Sequence, residues 1–293
     1  MITRFDHVII AVRNLEEAMG HYRTLGFDVS PGGRHAGLAT HNAIIRFGLD
    51  YLELVSIYDE TKVNVSRRDE LGLLDFLRKR EGGLLGYALA TSTIEQDAQR
   101  FRSSGLAAVG PIALQRMRPD GHLLSWRALV PGGGPGRQPW PFLIQWDVPD
   151  EQRLSWEKPG RHPNGVRDWA GVAIAVRDLE RAIDFYQRHL GLDLGQTDEI
   201  PRLAARRATF QVDSSSIDLL MPTGEGPVQG MLEELGEGPF EVTLTVSDLK
   251  QARQVLHQGG LHVEPSSEDL ASILLPLQQT LSTRLRLIEG GQR

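Results

Sequence analysis

Cysteine is absent from the 293 residues. That excludes thiol nucleophiles, disulfides and zinc–cysteine sites. An excess of one charge is also lacking: 32 Lys and Arg stand against 38 Asp and Glu, a net charge of −6, with no long single-sign run. Such a chain carries no electrostatic footprint for nucleic acid or for an anionic membrane, and neither is expected as a partner. No apolar stretch reaches the roughly 18 residues of a spanning helix. The chain runs from its first residues into a strand pattern, without a charged-then-apolar leader, so a cytoplasmic protein is expected. What remains is an ordinary soluble composition, 40% hydrophobic and 24% charged, in a chain long enough for two domains.

What the sequence does contain is a repeat. FDHVIIAVRNLEEAMGHYRTLGFDV at 5–29 returns as AGVAIAVRDLERAIDFYQRHLGLDL at 170–194. Val8, Ile10, Val12, Leu15, Ala18, Tyr22 and Gly26 have counterparts at Val172, Ile174, Val176, Leu179, Ala182, Tyr186 and Gly191. HVIIAV reads as a strand, Asn14 as a helix cap, and Leu15, Ala18, Met19 and Tyr22 as one helical face that Gly26 ends. Asp178 and Gly191 take those parts in the second copy. Two fainter copies begin at YALATSTIEQ, 87–96, and at FEVTLTVSDL, 240–249. Short alternating segments follow each helix, such as HNAIIRFG and DYLELVSI. Each unit is thus a strand, a helix and about three strands, and units must pair to bury the open sheet face.

Period-two alternation separates the two faces of each strand. Val8, Ile10 and Val12 form an aliphatic row that belongs under the helix; His7, Ile9 and Ala11 form the other row. Leu52 and Leu54 likewise oppose Tyr51, Glu53 and Val55. His7 and Glu53 are therefore expected in one concave cup. His7 has no partner in the repeat, because Gly171 stands in its place. An unpaired buried carboxylate is costly, so Glu53 requires His7, a metal or a substrate proton beside it. Without a metal, burial would raise its pKa and make it a general base near neutral pH.

Four βαβββ units in tandem pairs, with helix openings of the form AVRDLERAIDFYQRHLGL, resemble the vicinal oxygen chelate superfamily of glyoxalases, bleomycin-resistance proteins and extradiol dioxygenases. RHAGLATHNAIIRFGLDYLELVSI, RMRPDGHLLSW, WPFLIQW and HPNG resemble its glyoxalase-like domain group. The resemblance implies an α+β fold of four tandem units pairing into two glyoxalase-like half-barrel domains. Residues 1–150 form the first (units 4–58 and 84–148), 151–168 a linker, and 169–293 the second (units 169–222 and 238–289). By register with the family, the ligand positions of the first strands become His7, Gly86, Gly171 and Glu241. Those of the last strands become Glu53, Gln145, Asp218 and Arg286.

The resemblance thus assigns His7, Glu53 and Gln145 to a divalent metal (Mn, Ni, Zn, Mg or Fe), or to no metal at all. His7 and Glu53 are the expected catalytic pair. Thr40, Asn42, Tyr51, Arg118, Trp126 and Gln145 are the expected substrate contacts. Bland readings stand beside these: Arg118 as a hairpin cap, and Trp126 and Trp146 as core. His35 and His41 are read as loop residues, since their spacing is poor for shared coordination on one element. PGGGPGRQPWP, 131–141, lacks the Lys-Ser/Thr of a phosphate loop and is read as a flap over the first cup. The tryptophans of 151–169 are expected to anchor the linker, and HPNG at 162–165 reads as a turn from which the resemblance lets His162 or Asn164 reach the site. The second half, lacking a first-strand histidine, is expected to keep the fold without a site. Two functions follow. One is an isomerase or lyase type of enzyme that abstracts a proton from a small oxygenated substrate in the first cup, aided by a metal where one binds. The other is a non-catalytic small-molecule or drug-binding protein. Monomer and homodimer are both open.

Overall fold

The structure, a computed structural model, describes residues 1–66, 72–132, 136–263 and 271–290. The first unit runs β1 (Ile2–Val12), α1 (Leu15–Thr24), β2 (Ser30–His35), β3 (Thr40–Arg46) and β4 (Tyr51–Ile57). Two short helices follow, α2 (Glu60–Ser66) and α3 (Leu73–Lys79). The second unit is β5 (Gly82–Thr91), α4 (Ile94–Ser103), β6 (Ala108–Met117), β7 (Leu123–Pro131) and β8 (Phe142–Trp146). Helix α5 (Asp150–Trp156) then precedes the third unit: β9 (Val166–Ala175), α6 (Leu179–Arg188), β10 (Leu194–Ile200), β11 (Ala205–Val212) and β12 (Ser215–Pro222). After α7 (Pro227–Leu235), the fourth unit holds β13 (Gly238–Val246), α8 (Leu249–Gln258), β14 (Ser272–Leu274) and β15 (Leu285–Glu289).

The helix starts follow the expected chemistry. The Asn14 side chain accepts from the Glu17 N–H at 3.2 Å, and Asp178 accepts from Arg181 at 3.0 Å. Asp248 caps α8, accepting from the Lys250 and Gln251 N–H groups. Gly26 and Gly191 sit just past their helices at φ 80° and 69°, where a Cβ would be strained.

The two halves close differently. The first two units form a closed eight-stranded barrel in the order β1-β4-β3-β2-β6-β7-β8-β5, within one chain. The last two form an open seven-stranded sheet, β10-β11-β12-β9-β13-β15-β14, among the described residues. The seams of the barrel are β1 against β5, antiparallel, and a two-pair contact of β2 with β6 in which His35 faces Arg116. Strands β1 and β4 run parallel, with His7 opposite Tyr51 and Ile9 opposite Glu53.

The aliphatic rows pack as the alternation requires. Val8, Ile10 and Val12 join Leu15, Ala18, Met19 and Tyr22 of α1 in a cluster that continues into Val172, Ile174 and the inner face of α6. One core thus serves both halves. Phe5 stacks on Trp169 at 4.4 Å, and the hydroxyls of Tyr87 and Tyr186 bond to each other and to the Pro139 carbonyl. This last contact corrects the expected flap. Residues 133–135 lie outside the described residues; the following stretch docks between the halves instead of over the cup. Arg137 donates to the carbonyls of Leu84 and Pro239, and Trp140 stacks on Phe185 at 4.2 Å. The linker is also more than a tether. It contains α5, whose Arg153 is fully buried on the face of Trp146 at 3.7 Å.

Candidate active site

The concave side of the barrel encloses a cavity of about 160 Å³. Apolar side chains line most of its wall, among them Ile9, Val55, Leu85 and Ile144, and α3 contributes Leu73. Into this wall β1 and β4 project His7 and Glu53, which are 4% and 6% exposed. His7 Nε2 lies 3.4 Å from Glu53 Oε2. The two expected catalytic groups are therefore brought together, on the concave row and away from the helices.

Asp6 sets the state of His7. Its carboxylate meets His7 Nδ1 at 2.6 Å, Arg4 at 2.8 Å and the Trp146 indole N–H at 2.9 Å. Burial opposes the Asp6 charge, but the Arg4 cation and the hydrogen bond from His7 hold its carboxyl far below the usual range. An ionised carboxylate only accepts, so the Nδ1 proton stays on His7 and Nε2 is turned into the cavity. Tyr51 stacks on the imidazole at 4.7 Å, which fixes the ring plane.

Glu53 is held from several sides. The Asn42 amide donates to Oε1, and His35 Nε2 lies 3.5 Å from the same oxygen. His35 is in turn fixed by Thr40, whose hydroxyl is 2.9 Å from Nδ1. Burial alone would raise the Glu53 pKa; the His35 hydrogen bond and the charges of His7, His35 and Arg116 outweigh it and hold the value down to about 2. This corrects the expected raised pKa. Glu53 is a settled anion near neutral pH, and a weak base for that reason.

Four further expectations change. Gln145 does not reach the cup: its Oε1 accepts from the Ile94 N–H at 2.9 Å and so caps α4 on the opposite face of β8. It serves neither as metal ligand nor as substrate contact in this geometry. Arg118 does not reach the cup either, because Asp120 holds its guanidinium at 2.7 Å in the adjacent turn. His162 accepts from the Asp28 N–H and approaches the Arg46 carbonyl, while Asn164 ties Leu25 to Val166; both pin the linker. His35, read as a loop residue, is 8% exposed and faces Glu53. Thr40, Tyr51 and Trp126 do line the cavity, and Asn42 stands behind Glu53. Arg116, which the sequence reading did not single out, also lines it.

The donor types present, two imidazoles and a carboxylate, are those that hold a divalent cation. Their arrangement does not fit one. The Nε2 atoms of His7 and His35 face different oxygens of Glu53, and the Asn42 amide occupies one of those oxygens. Among the described residues no three His, Cys, Asp or Glu side chains converge as a metal cage. The second half has less to offer. Arg286 and Arg284 neutralise Glu241 at 2.6 and 3.1 Å, and Asp218 accepts from Thr209 at 2.7 Å. At Gly171 a Cβ would stand 2.5 Å from the Ser216 carbonyl oxygen, closer than real side chains come. The strand beside it leaves no room for the missing histidine.

Comparison with known proteins agrees with this architecture. A family model described as glyoxalase-like domain matches residues 5–178. One described as glyoxalase/bleomycin resistance protein/dioxygenase superfamily matches 171–271. An ethylmalonyl-CoA/methylmalonyl-CoA epimerase of Cereibacter sphaeroides is 35% identical over 99 residues, 33% of this chain and 74% of that protein. The mitochondrial methylmalonyl-CoA epimerase of Bos taurus is 27% identical over 125 residues, covering 37% and 71%. A hypothetical protein from Staphylococcus aureus shares the fold at TM-score 0.68 and 13% identity, over 97% of this chain and 98% of that one. A mutant of 4-hydroxymandelate synthase from Streptomyces coelicolor does so at 0.65 and 12%, over 98% and 92%. No helix among the described residues is long and apolar enough to cross a membrane.

Proposed function

Because the chain belongs to the glyoxalase-like domain group of the vicinal oxygen chelate superfamily, we propose that it is an isomerase- or lyase-type enzyme working in the barrel of its first half. The substrate is a small oxygenated compound, and the reaction begins with proton abstraction next to a carbonyl. The observation that carries this reading is the His7–Glu53 pair, 3.4 Å apart in a mostly apolar cavity.

His7 is the proton carrier. Asp6 fixes its tautomer and stabilises the imidazolium that forms when Nε2 takes a proton. Glu53, held ionised, stabilises that imidazolium from the other side. Tyr51 keeps its phenolic proton, since burial pushes its pKa well above the ordinary value, and so offers an O–H to a developing oxyanion. The apolar wall excludes water from the carbanion. A cavity of about 160 Å³ is close in size to one that holds benzene, so it takes the reacting end of a larger substrate and not the whole. The described residues do not converge as a metal site, and none of these steps runs through one. That both relatives act on acyl-CoA thioesters supports a carbonyl-activated carbon acid as the substrate class.

The test is exchange of the carbon-bound proton for deuterium in small acids with an acidic C–H next to a carbonyl, followed by NMR in D2O. Exchange is expected with at least one, unaffected by a chelator, and reduced about 10²-fold or more in His7→Gln. A substrate whose exchange survives that substitution removes His7 as the carrier. The second reading, a binding protein without chemistry, is favoured by the withdrawal of Gln145 from the cup; it predicts tight binding with no exchange at all.

A further inference from the structure

Arg116 is 3% exposed, and its side chain borders two cavities. One is the cavity of His7 and Glu53; the other, of about 370 Å³, opens on the far side beside Arg46, Arg118, Trp156 and Lys158. Its Nε is buried with no hydrogen-bond partner, and among the described residues no carboxylate lies within ion-pair distance of its guanidinium. The neighbouring acids are taken. Glu157 is shared by Arg46 at 2.8 Å and Arg153 at 2.7 Å, Asp120 is held by Arg118, and the Glu53 oxygens face Asn42, His7 and His35. A buried guanidinium with no direct ion pair, helped only by the more distant Glu53 charge, is costly, and Arg does not escape the cost by shedding its proton.

We propose that Arg116 is the anchor for a carboxylate of the ligand, holding it between the two cavities while the reacting carbon lies beside His7. This deepens the reading of the barrel as an active site and rests on it. Several observations favour a carboxylate. The guanidinium fork matches its two oxygens in one plane. Arg116 pairs directly with His35 across the β2–β6 seam, so the anion would sit next to the Glu53 network and not at a distant rim. The cavity of about 160 Å³ takes a six-membered ring with little to spare, so the anionic group of such a ligand falls at its edge, where Arg116 stands. The substrate is then an acid, with its carboxylate on Arg116 and its activated C–H toward His7 Nε2.

Binding, not turnover, is the test. Benzoate, benzamide and inorganic phosphate are titrated into the full chain by calorimetry, with thermal melting in parallel. Benzoate is expected to bind, with benzamide and phosphate weaker by about tenfold or more. Arg116→Gln is expected to lose that preference, Arg116→Lys to keep part of it, and Arg127→Gln, which alters an outward ion pair, to keep all of it. Without ligand, Arg116→Gln is expected to melt close to the wild type, because relief of a buried cation that has no direct ion pair is offset by the loss of its support for the Glu53 charge. Failure of benzoate to bind, equal affinity for benzamide, preference for phosphate, or benzoate binding untouched in Arg116→Gln each overturns the proposal. If benzoate binds through Arg116 while no acid exchanges its proton, the anchor stands and the catalytic reading fails. The reverse result leaves His7 in place and removes the anchor.

Discussion

Glu53 is a buried anion held in that state by its neighbours, and its ionisation is therefore tied to folding. Its folded pKa of about 2 lies below the ordinary 4.5. Its contribution to stability is complete above about 4.5 and is lost as pH falls toward 2, a difference of roughly 3 kcal/mol. Denaturant melts of wild type and Glu53→Gln across that window are expected to diverge, with the wild type losing stability more steeply; parallel curves would contradict the network around Glu53. Alternation along β1 and β4 was enough to place His7 and Glu53 on one face. It could have placed Gln145 as well: Leu143 and Gln145 share a row, and Leu143 lies in the helix-side core. Register with the family points the other way and places Gln145 in the cup, against that local signal. His35 offered no such signal. It ends SPGGRH, which has no apolar alternation, and reaches Glu53 only because β2 pairs with β3 and β6. Arg116 and Arg118 are two apart, and a downstream turn decides between them by giving Arg118 its own carboxylate, Asp120.

The helices and strands that carry aliphatic rows follow directly from the repeat, because their period and caps are local. The elements around the cup are less legible. α2 and α3 lie between units and have no repeat to mark them, yet Val63 and Leu73 close the cavity wall. The Gly-rich stretch before β8 carried only composition, and its destination was fixed by Tyr87, Tyr186 and Phe185 from distant elements. The pairing of β9 with β12 makes a clear prediction. Gly171→His restores the first-strand residue of the repeat, but the side chain meets the Ser216 carbonyl. A loss of about 1–3 kcal/mol is expected by chemical denaturation, with no gain in metal affinity. An unchanged midpoint would show that β12 yields freely.

The molecule as a whole is two units of architecture around one core. Tandem pairing was visible in the sequence; the fusion of the two halves was not, since it depends on contacts such as Phe5 with Trp169. Unfolding is therefore expected as one transition, with fluorescence and far-UV circular dichroism coincident. Trp169→Ala, at a position 3% exposed, is expected to cost about 3–5 kcal/mol and to lower that single transition. Two separated transitions in the wild type would show that the halves are independent. The closeness of Gly171 to Ser216 has a consequence for the history open to such a chain. A single change at 171 returns the imidazole only at a cost in stability, because β12 must shift outward to admit it. The division of labour between the halves thus acts as a ratchet: the second half can vary as a buttress, while new chemistry is channelled into the barrel.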